Sequence, residues 1–181
     1  MIFYIFVQAR LSSKRLPGKV LFKLKNKTVL DHIISNLRKL KYKKKIIVLT
    51  SKNKSDDRIV NHCKKKKILF FRGNLNNVYK RYADAIKKFN NKSFIRINGD
   101  SPLIQIGIIE KAIKIFKKNK YDIVTNCQKR TFPKGQSVEI IKSNIFLDNY
   151  KLIKSKEHKE HIFLYFYSNK NKFKIYNITK K

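Results

Sequence analysis

Gln8-Ala9-Arg10-Leu11-Ser12-Ser13-Lys14-Arg15-Leu16-Pro17-Gly18-Lys19-Val20-Leu21 is the stretch that indicates the fold. It follows an apolar run, residues 2–7, whose bulky side chains are typical of a buried strand. It precedes a segment with helical spacing that begins near Thr28. Ligands of open α/β sheets bind at the carboxyl ends of the strands. A strand-to-helix loop that carries positive charges and hydroxyl groups therefore indicates a phosphate site.

The charged side chains of this loop are the expected phosphate ligands. The loop contains one glycine, Gly18, and lacks the glycine patterns of NTPase phosphate loops and of dinucleotide-binding folds. Its backbone alone cannot surround a phosphate, so Arg10, Arg15 and Lys19 would supply the donors. The Pro17-Gly18 turn would bring Lys19 back over the site. An ordinary solvated connection is the alternative.

Apolar runs and helical patterns alternate along the chain beyond this loop. Strands are predicted at residues 2–8, 46–50, 68–71, 94–97 and 121–125, and helices at about 29–40, from Ser55, and at about 76–89 and 105–119. This alternation predicts an α/β fold with a three-layer, doubly wound and mostly parallel sheet. The pattern then changes. We expect a short antiparallel strand at 137–141, at or near the sheet edge, helices near 143–153 and 157–168, and a last strand at 173–178.

The length and composition predict one soluble, cytoplasmic domain over residues 1–181. A chain of 181 residues can bury a substantial core, and no linker or internal repeat divides it. Two cysteines do not form a disulfide framework, no signal peptide is visible, and no apolar run is long enough to span a bilayer.

The formal net charge of +34 comes from 45 lysines and arginines against 11 acidic residues. Such a charge is typical of nucleic-acid-binding proteins. Lysine, asparagine, isoleucine, phenylalanine and tyrosine are all plentiful, however, and their codons are A/T-rich. We therefore favour a solvated surface that reflects composition, with nucleic-acid binding as the less favoured alternative.

A second loop contributes a carboxylate to the same predicted edge. Residues 98–102, Asn-Gly-Asp-Ser-Pro, follow the fourth predicted strand. Asp100 would lie among basic groups, where a carboxylate is suited to Mg²⁺, which prefers carboxylate, water and phosphate oxygens. A turn aspartate that caps the next helix is the alternative.

Several motifs resemble one family. The run Gln-Ala-Arg-x-x-Ser-x-Arg-Leu-Pro-Gly-Lys-Val-Leu resembles the N-terminal signature of the sugar-acid cytidylyltransferases, which include CMP-Kdo synthetases and acylneuraminate cytidylyltransferases. The resemblance is greatest to the branch typified by the spore coat polysaccharide protein SpsF. It continues, in the same order, through residues 72–82, 96–104, 132–139 and 160–165.

The resemblance implies a nucleotide-diphospho-sugar transferase-like fold and a reaction. CTP and an acidic sugar would give a CMP-sugar and pyrophosphate for surface polysaccharide biosynthesis, with Mg²⁺ as cofactor. It implies catalytic roles for Arg10, Lys19 and Asp100, with Asp100 also holding the metal. The implied nucleotide-binding residues are Arg10, Ser13, Arg15, Lys19, Arg72 and Arg81, and those on the sugar side are Glu139 and His161. A homodimer is common in the wider family.

One departure from the family pattern leaves the activity open. The family's D-x-P-x-D segment, which carries a second metal carboxylate, is not present after the last predicted strand. The chain is expected to be either a cytidylyltransferase or a shortened relative that binds nucleotide or sugar without turnover.

Overall fold

Strands and helices alternate through the first two thirds of the computed structural model, which describes residues 1–12 and 16–180. The strands are β1 (Phe3–Gln8), β2 (Lys23–Leu24), β3 (Lys27–Thr28), β4 (Lys44–Ser51), β5 (Leu69–Gly73), β6 (Ser93–Asn98), β7 (Ile123–Thr125), β8 (Glu139–Lys142) and β9 (Ile175–Asn177). The helices are α1 (Val29–Arg38), α2 (Asp57–Lys65), α3 (Val78–Phe89), α4 (Ile106–Phe116), α5 (Ser143–Asp148), α6 (Lys156–Glu160) and α7 (Leu164–Ser168).

The main sheet has the order β5-β4-β1-β6-β8-β7-β9. Its strands are parallel except β8, which runs antiparallel to both β6 and β7. The predicted α/β fold with a mostly parallel sheet is confirmed. The position predicted for the antiparallel strand was wrong, because β8 lies inside the sheet and β9 occupies the edge. Three consecutive residues, 139–141, are buried in β8, as expected for a strand that is paired on both sides and covered on both faces.

Two further differences concern short elements. Strands β2 and β3 form a separate antiparallel hairpin within residues that were expected to be loop. The helix expected at 143–153 ends at Asp148, and the helix expected at 157–168 is divided into α6 and α7. The division falls at His161, whose φ of −100° and ψ of 78° lie outside the helical region.

Apolar side chains cover both faces of the sheet, because successive strand residues point to opposite sides. In β1, Ile5 and Val7 join a core formed with α1, α2 and α4. Phe6 joins the other core, formed with α3, α5 and α7, which is rich in aromatic rings. In that core the rings of Tyr79 and Phe146 stack with centroids 3.9 Å apart. The three layers expected from the sequence are therefore present.

Close packing at Gly99 brings the carboxyl ends of β1 and β6 together. The Gly99 amide donates to the Gln8 carbonyl oxygen over 2.8 Å. A Cβ atom at position 99 would lie 2.6 Å from that oxygen and 3.0 Å from the Ala9 Cβ. Only glycine allows the loop after β6 to lie against the loop after β1 at this distance.

The excursion between β7 and β8 is fastened over the same edge by Gln136 and Asn126. The Gln136 side chain accepts from the Gln105 amide and donates to the Leu103 carbonyl, each over 2.8 Å. The Asn126 side chain donates to the Gln136 carbonyl and accepts from the Val138 amide. Both ends of the excursion are thereby fixed next to the loop that follows β6.

Among the helices of the described residues, none combines the length and the apolar character needed to cross a bilayer.

We expect Gly99→Ala to lower the free energy of unfolding by about 1–3 kcal/mol, because the added methyl group would overlap a backbone carbonyl that cannot rotate away. Urea denaturation measures this loss. Gly107→Ala in α4 is the matched control, since nothing lies within 4 Å of its added Cβ. The control should be neutral or stabilising, as alanine favours helix over glycine. Equal stability of the two variants would contradict the packing argument.

Candidate functional site at the carboxyl edge of the sheet

Lys19 and Asp100 meet where the loops after β1 and β6 converge. Gly18 has a φ of 75°, a left-handed conformation that suits glycine, and its amide donates to the Leu11 carbonyl over 3.0 Å. This turn directs Lys19 back across the sheet edge, where its ammonium group pairs with the Asp100 carboxylate. Both side chains are partly exposed. The two loops singled out in the sequence therefore form one site.

Arg10 pairs with a residue that the sequence analysis did not select. Its Nη2 lies 2.7 Å from Oε1 of Glu160, at the end of α6. The neighbouring His161, expected on the sugar side, is exposed at the point where α6 ends. In this structure the α6 segment thus presents Glu160 to Arg10. Two other expected ligands, Ser13 and Arg15, lie outside the described residues.

Asp56 supports the base of the first loop from inside the protein. One carboxylate oxygen accepts from the Leu11 amide over 2.7 Å, and the other accepts from the Ser51 amide over 3.1 Å and from the Ser51 hydroxyl. Asp56 is fully buried, so these donors replace its hydration. They join the start of the loop to the end of β4.

Arg72 and Arg81 hold the loops that follow β4 and β5. Arg72 donates to the carbonyls of Ser51 and Asn53 and pairs with Asp57 over 2.7 Å. Arg81 is fully buried and donates to the carbonyls of Asn74 and Leu75. Burial lowers the pKa of Arg81 from its ordinary value. Both guanidinium groups bind backbone oxygens in this structure, and their contact with a nucleotide stays a prediction.

A chain of polar contacts crosses the aromatic face at the same edge. We call it the Arg96–Glu139 network, and it consists of Gln8, Arg96, Glu139, Tyr167 and Thr125. Arg96 Nη1 lies 2.5 Å from Glu139 Oε2, and its Nε donates to Gln8 Oε1 over 3.2 Å. The Tyr167 hydroxyl donates to Glu139 Oε1 over 2.7 Å and lies 2.9 Å from the Thr125 hydroxyl. The network spans β1, β6, β8 and β7.

Electrostatic coupling fixes the charge states within this network. Burial opposes the charge of Arg96, but Glu139, Tyr82 and Tyr167 together outweigh that effect and raise the pKa of Arg96. Burial, reinforced by Glu139, raises the pKa of Tyr167 well above its ordinary value. Burial likewise raises the pKa of Tyr82, whose hydroxyl donates to Gln8, to about 12. Arg96 is therefore a permanent cation, and both tyrosines keep their protons.

The sequence predictions for this site did not include four of its residues, Glu160, Gln8, Arg96 and Tyr167. A signal did exist for Arg96 and Gln8, because each interrupts or ends an otherwise apolar strand at a position that alternation places on the buried face. Buried polar groups in such positions need partners. Glu139 was selected, but its two partners come from β6 and α7, which no spacing in the sequence connects.

The donors at this edge are compatible with Mg²⁺ bound together with phosphate. Among the described residues, no group of three or more histidine, cysteine, aspartate or glutamate side chains forms a metal site. Mg²⁺ commonly uses one or two carboxylates, with substrate phosphates and water as its other ligands. The partly exposed Asp100, beside the basic first loop, fits that kind of site.

We expect Glu139→Gln to destabilise the protein by about 3 kcal/mol, because it leaves the buried Arg96 cation without a counter-charge. Urea denaturation measures the change. Asp84→Asn is the control, since it removes the exposed partner of Lys80 on α3 and should have no measurable effect. A loss at Glu139 no larger than that of the control would contradict the assignment of a buried ion pair.

Comparison with known proteins identifies the family of this chain. A family model described as cytidylyltransferase matches residues 4–181. The chain is 28% identical to the spore coat polysaccharide biosynthesis protein SpsF of Bacillus subtilis over 88% of this chain and 67% of SpsF. It is 31% identical to 3-deoxy-manno-octulosonate cytidylyltransferase 2 of Hydrogenovibrio crunogenus over 66% of this chain and 48% of that protein. A solved cytidylyltransferase from Leptospira borgpetersenii matches with a TM-score of 0.93 and 31% identity, over 99% of this chain and 76% of that one. The chain belongs to the cytidylyltransferase family.

Proposed function

We propose that the protein transfers CMP from CTP to an acidic sugar, releasing a CMP-sugar and pyrophosphate for surface polysaccharide biosynthesis in the cytoplasm. The observation that carries the proposal is the meeting of Lys19 and Asp100 at the edge where the first loop supplies Arg10. This arrangement places basic side chains that can bind phosphate beside a carboxylate that suits Mg²⁺. The names of two relatives, one for polysaccharide biosynthesis and one for a keto-sugar acid, support the acceptor class.

The reaction requires charge stabilisation more than covalent chemistry. An acceptor hydroxyl attacks the α-phosphorus of CTP and loses its proton to solvent, the bond from that phosphorus to the bridging oxygen breaks, and pyrophosphate leaves with the electron pair. Mg²⁺, when bound, would neutralise charge on the phosphate oxygens. Lys19 and Arg10 would exchange their carboxylate partners for phosphate oxygens and hold the developing negative charge. Preorganised donors of this kind act mainly through position and electrostatics.

Pyrophosphate release tests the function directly. The protein is incubated with CTP, Mg²⁺ and 3-deoxy-manno-octulosonate, and in parallel with other keto-sugar acids and with other nucleoside triphosphates. We expect pyrophosphate and a CMP-sugar, and EDTA should abolish both. Thermal stabilisation by CTP without any turnover would instead favour a relative that only binds its ligands. Steeply salt-dependent RNA or DNA binding with no effect of CTP would favour the nucleic-acid alternative.

We expect Asp100→Asn to lower the rate of pyrophosphate release by about 100-fold or more, because the neutral amide is a poor ligand for Mg²⁺. The melting temperature should change little, since Asp100 is partly exposed. Asp84→Asn on α3 provides the control and should keep the wild-type rate. Unchanged turnover in Asp100→Asn would remove Asp100 from its proposed role.

Gel filtration and light scattering test a separate expectation, the homodimer.

A further inference from the structure

The orientation of the Gln8 side chain is fixed by the Arg96 guanidinium, which donates hydrogen bonds and cannot accept them. Arg96 Nε lies 3.2 Å from Gln8 Oε1, and the Tyr82 hydroxyl lies 3.4 Å from the same oxygen. An arginine Nε–H can only donate, so the atom of Gln8 that faces it must be the amide oxygen. The amide nitrogen of Gln8 consequently points to a different environment. It has no hydrogen-bond partner among the described residues and is not sealed from solvent.

The guanidinium of Arg96 also has a donor that is left open. Its Nε is bound to Gln8 and its Nη1 to Glu139, which leaves Nη2 without a hydrogen-bond partner in the part of the chain that the structure describes. The Arg96 side chain is 16% exposed, whereas that of Glu139 is 4% exposed. The cation is thus largely buried, with its open nitrogen not sealed from solvent.

Both open donors lie at the carboxyl edge that carries the proposed nucleotide site. Gln8 ends β1 and stands two residues before Arg10. Arg96 lies in β6, four residues before Asp100. Their side chains are on the aromatic face, as is the carboxylate of Glu139. The first loop and this pair of donors therefore share the edge at which the substrates are proposed to bind.

We infer that Gln8 and Arg96 recognise the carboxylate of the acceptor sugar. Two open N–H donors, one of them on a permanent cation, select a group that accepts hydrogen bonds and carries negative charge. Each Glu139 oxygen already accepts from another donor, one from Arg96 Nη1 and the other from the Tyr167 hydroxyl. This assignment rests on the proposed function, since it names how that site distinguishes a sugar acid from a neutral sugar.

Glu139 and Tyr167 are positioning residues in this assignment. Glu139 holds the guanidinium through Nη1, and Tyr167 holds Glu139. Neither is proposed to touch the substrate. Their effect would be to keep Arg96 Nη2 in one orientation, so that little side-chain freedom is lost when the acid binds.

Gln8→Glu removes the outward donor of Gln8 and adds a negative charge beside Arg96. The variant keeps an inward oxygen for Arg96 and Tyr82, and replaces the outward NH₂ with a charged oxygen. We expect the affinity for 3-deoxy-manno-octulosonate, or for the acid of the panel that binds best, to fall about 30-fold or more. The affinity for the C1-carboxamide of the same sugar should be unchanged or higher. Titration calorimetry with and without a non-hydrolysable CTP analogue measures both affinities. The affinity of the variant for the analogue should stay within about threefold of the wild-type value.

Asn61→Asp is the matched control, because it makes the same amide-to-carboxylate change at an exposed position of α2. It should bind acid and carboxamide as the wild type does. Tyr167→Phe tests the positioning role: it should raise the KM for the acid with a smaller effect on kcat and on the KM for CTP. A purely structural role would instead lower the melting temperature without this separation of constants.

The outcomes separate the inference from the proposed function. If the protein turns over a sugar acid, and Gln8→Glu binds that acid as well as the wild type does, the proposed function stands and the inference is overturned. Acid binding that depends on Gln8, without CTP-dependent turnover, would support the inference and overturn the function. Wild-type protein that binds none of the acids, or binds acid and carboxamide equally, would overturn the inference.

Discussion

The contact between Arg96 and Glu139 is the constraint on which the centre of this structure depends. The two residues face each other across the antiparallel pair β6 and β8, and both side chains are largely buried. Removing two charges from water costs several kcal/mol per ion, so each charge is tolerated only because the other is present and because Gln8 and Tyr167 add further hydrogen bonds to the pair. The pair therefore favours one register between these strands, since a slip of one residue would place Glu139 on the opposite face.

Basic side chains are paired with acidic ones along the whole carboxyl edge of the sheet as well. Arg10, Lys19 and Arg72 each have an acidic partner from another segment of the chain. The protein has only 11 acidic residues against 45 lysines and arginines, and three of those acidic residues are partners of basic groups at this edge. Partly exposed ion pairs contribute little stability. In the proposed function they would hold basic groups in place and leave them able to exchange a carboxylate for a phosphate oxygen.

Close approach of backbones decides how these pairs meet. Gly99 lets the loop after β6 lie against the end of β1, and Gly18 turns the first loop back so that Lys19 reaches Asp100. Gln136 then ties the excursion between β7 and β8 to the loop after β6. Three segments that are far apart in sequence thus share one edge. A substrate bound there would contact groups supplied by the ends of several strands, as is usual for open α/β sheets.

The sequence by itself determined the alternation of strands and helices, the parallel core of the sheet and the two loops that carry Lys19 and Asp100, because these follow from local periodicity and turn chemistry. It also predicted that residues 137–141 run antiparallel. Only the tertiary structure decided that this strand lies inside the sheet, that Glu160 meets Arg10, and that Gln8 and Arg96 form a network with Glu139 and Tyr167. These outcomes depend on pairing between segments up to 150 residues apart. Local sequence patterns carry no information about such pairing, whereas the cost of leaving a buried charge or donor unpaired acts only when the chain is folded.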